Sequence, residues 1–416
     1  MKKISNYSMG LGDRFGQQGA AQLKAITDAS KLGVEITPVW NKSNREHTTI
    51  GTHPDDVRKE ADSVTAEAKF RGQYFVDADH INADTVDRFL PASDFFTIDV
   101  AAYIGKKHSE EATADFIKKA SRYVGKLSVP GIPKPFEVTD TFLQRVANNY
   151  LFAASMAGTI YRKIEAAKGK GKFITEISMD EVAEPQTPAE LFFILMMLAT
   201  EKIPLQTIAP KFSGRFNKGV DYVGNTDSFA LEFESDLLVI NEAVRMFDLP
   251  DNLKISVHSG SDKFAIYPHI GRIIRKHGKG IHLKTAGTTW LEEVIGLALS
   301  GGKALDFVKE IYSLALEKRE ELCAPYADVI DIDPLQLPAA SEVMRWDNQR
   351  FASALRHNKD DKHYNPNMRQ LIHVGYKLAA LRMEEYLSLL RQNGTTVSSC
   401  VYENVLDRHI KAVFLP

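Results

Sequence analysis

Short runs rich in β-branched and aromatic residues recur along this chain. Each closes on polar groups and is followed by a stretch with apolar residues at helical spacing. Strands are expected at 6–11, 34–40, 73–78, 95–100, 172–179, 205–209, 253–257 and 280–284. Helices are expected at 18–31, 54–70, 83–89, within 109–167, and at 188–201, 228–247, 267–277 and 290–299. Eight such alternations suit a (β/α)8 barrel of the TIM type or an open, doubly wound sheet. The open sheet usually carries a glycine fingerprint after its first strand. Here Gly10, Gly12 and Gly16 miss that spacing, and the second strand runs out through Asn41 and Lys42 rather than an acidic residue. The expectation is therefore an α/β chain: a barrel over 1–304, with a helical insertion after strand 4 at about 105–171. A helical C-terminal extension, 305–416, packs on the barrel and over its mouth.

The most apolar window, 191–199, is flanked by Glu190 and Glu201. It is far shorter than the roughly 20 residues of a membrane span and reads as a buried helix. Across 416 residues, 52 Lys+Arg stand against 54 Asp+Glu. This balance removes the electrostatic reason to expect nucleic acid or an anionic membrane as partner. Two cysteines, Cys323 and Cys400, make neither a disulfide framework nor a cysteine zinc site. The first residues carry no apolar stretch of the secretory kind, so a soluble cytoplasmic protein is expected. A small molecule is the expected partner, and a homo-oligomer is compatible with this reading.

Polar residues concentrate where the strands end, the active face of a barrel. The third strand closes on Asp77, Asp79 and His80, the fourth on Asp99, the seventh on His258, and the eighth carries His282 and Lys284. On the fifth, Glu176, Ser178 and Asp180 alternate with Ile177 and Met179, so the three polar side chains should face inward. Buried carboxylates need a cation, a metal or a shared proton. Glu176 fits a structural or a functional role equally, whereas Asp180, nearer the active end, leans functional. His80, His258 and His282, around one mouth with a carboxylate, point to a divalent cation such as Zn²⁺, Mn²⁺, Ni²⁺ or Co²⁺. His47, His53, His108, His269 and His277 read as loop or helix-surface residues, and the tail histidines 357, 363, 373 and 409 have no assignment. Lys211 or Lys284 at a strand end could instead form a Schiff base, as in barrel aldolases, or simply pair with the carboxylates or a substrate anion. Arg14, Arg215, Arg356 and Arg369 are candidate clamps for an anionic group.

Longer motifs add a resemblance. The stretches 178–181, 185–188, 209–222, 256–264 and 282–292, with 354–357, 364–366, 369–374 and 407–410 in the tail, together resemble the tagaturonate/fructuronate epimerase family. That resemblance implies a metal-dependent epimerase interconverting D-tagaturonate and D-fructuronate. It implies His80, His258 and His282 as metal ligands, Asp79 as proton acceptor and Asp180 as proton donor. Glu176, Lys211, Arg215, Lys284 and Arg356 would contact substrate.

The two uronates differ at a carbon β to the ketone, which enolisation cannot invert. Retro-aldol cleavage, rotation of the aldehyde fragment and re-addition can invert it, with a cation offsetting the developing negative charge and carboxylates moving the protons. An aldolase acting on a ketose or ketose phosphate, with a Schiff base or a metal, is the alternative chemistry. A sugar-binding barrel without catalysis is the alternative class.

Overall fold

The computed structural model describes residues 2–285 and 288–415, so Ala286 and Gly287 of the 282–292 motif lie outside it. The strands in chain order are β1 (Tyr7–Gly12), β2 (Ile36–Ser43), β3 (Phe75–Ile81), β4 (Phe95–Asp99), β5 (Gly125–Leu127), β6 (Phe136–Val138), β7 (Ile174–Ser178), β8 (Thr207–Ala209), β9 (Lys254–His258) and β10 (Ile281–Lys284). Eight of them close a parallel barrel in the order β1-β10-β9-β8-β7-β4-β3-β2, and β5 and β6 form a separate antiparallel hairpin. All eight barrel strands fall where the hydrophobic pattern puts them. The chain is a (β/α)8 barrel with a helical C-terminal region.

The helices between strands are α1 (Gly19–Lys31), α2 (Asn44–Ile50), α3 (Pro54–Glu67), α4 (Val86–Phe89), α5 (Glu110–Ala120), α6 (Asp140–Lys168), α7 (Pro188–Thr200), α8 (Thr226–Phe247), α9 (Tyr267–His277) and α10 (Thr288–Ser300). The segment between β4 and β7 is not all insertion. The long α6 packs against β4 and α7, the place of the barrel's fourth helix, and α5, the β5–β6 hairpin and two short 3-10 turns are added. The hairpin brackets Pro130, Pro133 and Pro135, turn residues that interrupt the helical insertion expected at about 105–171. The apolar 191–199 window is buried in α7, whose first turn is fixed by a capping box between Thr187 and Glu190.

Inside the barrel, apolar and polar residues separate by depth. Ile4, Val39, Phe75, Phe95 and Ile174 form an apolar floor at the N-terminal end. Above it the inward positions become polar: Asp77, Thr97, Glu176, Ser256 and His282 are buried, and Lys284 follows. Lys284 fits because β1 places Gly10 opposite it; a Cβ at Gly10 would lie 2.7 Å from the lysine Cγ. From Gly302 onward the extension packs a second apolar cluster onto α10, and Tyr326, Val329 and His373 reach the barrel mouth.

Candidate active site

The barrel mouth opens into a cavity of about 880 Å³ lined by Asp79, His80, Asp99, Asp180, His258 and Lys284 among others. Strand parity alone would turn His80 away from it, because Asp77 and Asp79 already face inward. A register irregularity between Ala78 and Ile81, with His80 at φ +51°, turns the imidazole back toward the mouth. Left-handed backbone at a non-glycine residue is costly, and such strain gathers at functional sites.

His80 and His258 stand with ring centroids 5.0 Å apart. Asp180 Oδ1 lies 3.4 Å from His80 Nε2 and 3.2 Å from His258 Nδ1. Ser178 donates a hydrogen bond to the same oxygen. The ligating atoms of these three residues fall within 4.8 Å of one another. Each imidazole is backed by a buried carboxylate. Asp79 Oδ1 is 2.9 Å from His80 Nδ1, and Glu176 Oε1 is 2.9 Å from His258 Nε2. If those nitrogens carry the protons, His80 Nε2 and His258 Nδ1 are left as lone pairs facing Asp180, the arrangement of carboxylate-oriented metal-binding histidines. Two imidazoles and a carboxylate suit a divalent transition metal with open positions.

His282 does not join them. It faces inward, but the register sets it opposite Ser256, one layer beneath His258, and Ser8 Oγ lies 2.9 Å from its Nδ1. Burial pushes its pKa down to about 3, so it stays neutral in the barrel interior. Among the described residues the group that could hold a metal ion is His80, Asp180 and His258, without the third imidazole expected from the sequence.

Lys284 is the electrostatic centre of the polar layer above the floor. Its Nζ lies 2.7 Å from Asp77, 2.9 Å from Asp79 and 3.0 Å from Glu176, and it donates to Thr97 at 2.6 Å. Burial opposes its charge, yet Asp77, Asp79 and Glu176 hold its pKa well above the ordinary lysine value. Burial likewise acts against ionisation of Asp79 and Glu176, and Lys284 with the backed imidazoles reverses this, holding both carboxyls below their usual range. Burial wins at Asp77, which is pushed up to about 7. An ammonium so enclosed lacks the free lone pair that a Schiff base requires. Lys211 is committed too, donating from Nζ to the Val182 carbonyl. Lys284 thus takes the pairing role, and Lys211 is held by a backbone carbonyl.

The remaining expected contacts divide. Arg215 lines the cavity and pairs with Asp331 at 3.1 Å. Arg356 is absent from the lining and lies 3.4 Å from Glu403 within the extension. Arg369 is wholly buried in a separate cluster with Asp262, His357 and His409. Arg14 lines the cavity, pairs with Glu46 at 2.9 Å and stacks over Tyr376. His47 is buried against Phe89 rather than on a helix surface. Sequence reasoning missed Asn41, an inward β2 residue whose amide is buried at the mouth, and His373, supplied by the extension. The inward parity of β2 was a usable signal for Asn41; nothing local marked His373.

Comparison with known proteins bears on the family and the fold. A family model described as UxaE, tagaturonate epimerase, matches residues 1–413. A curated tagaturonate/fructuronate epimerase of Thermotoga maritima is 28% identical over 421 aligned positions, covering 97% of this chain and 79% of that protein. The crystal structure of native fructuronate-tagaturonate epimerase UxaE from Cohnella laeviribosi superposes with a TM-score of 0.82 at 23% identity. It covers 99% of this chain and 82% of that one. A glycerol complex of the same enzyme gives 0.81 at 22%. At these identities the superpositions speak for the fold.

Proposed function

The chain belongs to the tagaturonate epimerase family, and on that premise we propose that it interconverts D-tagaturonate and D-fructuronate at a divalent-cation centre held by His80, Asp180 and His258. It is an isomerase of the epimerase class. The observation that carries the centre is the pair of imidazoles, each backed by a buried carboxylate and each turning its other nitrogen toward Asp180. When bound there, a divalent ion supplies a Lewis acid that polarises the substrate ketone and offsets negative charge during cleavage.

The chain's own groups supply the rest. Asp79 Oδ1 is engaged by His80 and Lys284, while its other oxygen takes no hydrogen bond among the described residues, and the residue lines the cavity. Lys284 keeps Asp79 ionised, so it can accept the hydroxyl proton at the inverting carbon. The adjacent C–C bond then breaks, its electrons pass toward the ketone, and the aldehyde fragment turns before the bond re-forms on its other face. The cavity has room for that rotation.

Asp180 no longer suits the proton-donor role. It lies between the two imidazoles, 3.4 Å from His80 and 3.2 Å from His258, and is taken here as a ligand. Asp99 suits it better: it lines the same cavity, and burial pushes its pKa up. A positioned proton transfer of this kind is worth about 10²–10⁴-fold.

The test is incubation of purified enzyme with D-tagaturonate, followed by NMR. The expected result is a mixture with D-fructuronate, lost on chelation and restored by Mn²⁺, Co²⁺, Ni²⁺ or Zn²⁺. Full turnover after metal removal would overturn the cation centre. Conversion of a neutral or phosphorylated ketose in preference to the uronate would overturn the substrate.

A further inference from the structure

The cavity is ringed by cations, and most of them are already committed. Lys284 lies among three carboxylates, Lys211 donates to Val182, and Arg14 and Arg215 are paired with Glu46 and Asp331. Arg45 is exposed, with its guanidinium over the Tyr326 ring. Lys218 differs. It lines the cavity half-buried, and its ammonium makes no ion pair or hydrogen bond among the described residues. Its Nζ stands over the loop that follows His258, 3.6 Å from where a Cβ on Gly260 would be.

His373 of the extension helix Pro366–Val374 stands beside it. Gly219, next to Lys218 and at φ +77°, lets the β8 loop close onto this helix; a Cβ there would lie 3.4 Å from the His373 Cβ. Arg14 Nη2 lies 3.2 Å from His373 Nε2. A guanidinium only donates, so Nε2 must accept and the ring proton must sit on Nδ1. Burial, aided by Arg14 and Lys218, keeps this imidazole neutral. The Nδ1–H is buried on the cavity wall and has no partner among the described residues. A buried donor left without an acceptor is costly unless a ligand supplies one.

We propose that Lys218 and His373 form the subsite that receives the carboxylate of the sugar acid, with the ammonium providing charge and the His373 Nδ1–H a directed hydrogen bond. This rests on the hexuronate reading above. It makes the C-terminal extension part of the specificity of the barrel rather than only its cover. A neutral ketose offers no anion to these donors and leaves both unpaired, the situation in which a polar site discriminates most strongly.

The experiment compares kcat/KM for D-tagaturonate with that for D-tagatose in wild type, Lys218→Met, Lys218→Arg and His373→Phe. Where turnover of tagatose is too slow to read, inhibition by D-galactonate against galactitol gives the same ratio. The expected result is a preference for the acid that falls about 10–100-fold in Lys218→Met, the worth of one charge-assisted hydrogen bond. The preference falls less in His373→Phe and largely returns in Lys218→Arg. An unchanged ratio, whether both substrates are lost equally or neither is affected, overturns the subsite and leaves the hexuronate reading standing. A wild type with no preference for the acid overturns both.

Discussion

Two clusters in this molecule use the same residue types for opposite ends. At the barrel mouth Asp180 lies between His80 and His258. At the junction with the extension Asp262 lies between His357, at 3.3 Å, and His409, at 3.0 Å. The difference is what fills the space around the carboxylate. Arg369 donates to Asp262 at 2.8 Å and also to the Gly219 and Leu355 carbonyls, and His409 has Tyr267 2.8 Å from its other nitrogen. That cluster is closed and charge-matched, so it ties the loop after β9 to the extension. At the mouth Asp180 has no arginine partner among the described residues, each imidazole turns a nitrogen toward it, and the site opens on the cavity. An acidic residue between two histidines is structural where a guanidinium completes it and ligand-seeking where open space does.

The sharpest break of this comparison is substitution on each side. His258→Ala should lower turnover by about 10³-fold or more, several kcal/mol of charge stabilisation, with little change in melting temperature. Asp262→Ala should do the reverse. It strands a buried arginine, which costs about 3–5 kcal/mol in denaturant unfolding, while turnover per folded molecule changes only slightly. Equal behaviour of the two variants would dissolve the distinction.

Next in size is Glu176→Gln, which leaves the ligands in place but weakens the partner of His258. Titration of the apo-protein with Co²⁺ should show affinity reduced about 10–100-fold.

Acid titration sharpens the closed cluster. Arg369, with His357 and His409, outweighs burial and holds Asp262 well below its ordinary value of 3.8. A carboxyl with a depressed folded pKa contributes stability that is present above the unfolded pKa and lost as pH falls through the folded one. The stability gap between wild type and Asp262→Asn should therefore be full at neutral pH and shrink as pH drops below about 4, as read by urea unfolding across pH.

The smallest effect concerns Asp236 on α8, a buried carboxyl with no hydrogen-bond partner among the described residues, which burial pushes well above 3.8. Its sign is opposite: stability is lost as pH rises from the unfolded value toward the folded one. Asp236→Asn should gain roughly 1–3 kcal/mol over wild type at pH 8 and nothing at pH 4. A gain independent of pH would contradict this.

Much of the architecture was legible because strand, turn and helix repeat locally, and α9 matches its expected span of 267–277. The inward trio Glu176, Ser178 and Asp180 followed from period-two alternation on one strand. What parity cannot supply is depth. His282 and His258 both face inward, yet only the pairing of β9 with β10 puts one a layer below the other. Parity also misassigns His80, which reaches the mouth through a register irregularity that the sequence does not advertise. Arg356 and Arg369 looked alike in the tail, and non-local packing sends one to Glu403 and the other into the core. Asp180 was singled out for chemistry, but its place between two imidazoles, on which its proposed role as a ligand rests, depends on strands far apart in the chain.

The most direct test of the central claim is metal content per chain, by mass spectrometry after loading with Co²⁺ and dialysis, in His258→Gln and His282→Gln side by side. The account predicts that the His282 variant keeps one ion per chain and that the His258 variant does not. Loss of the ion from the His282 variant, or its retention in both, would contradict a centre built from His80, Asp180 and His258.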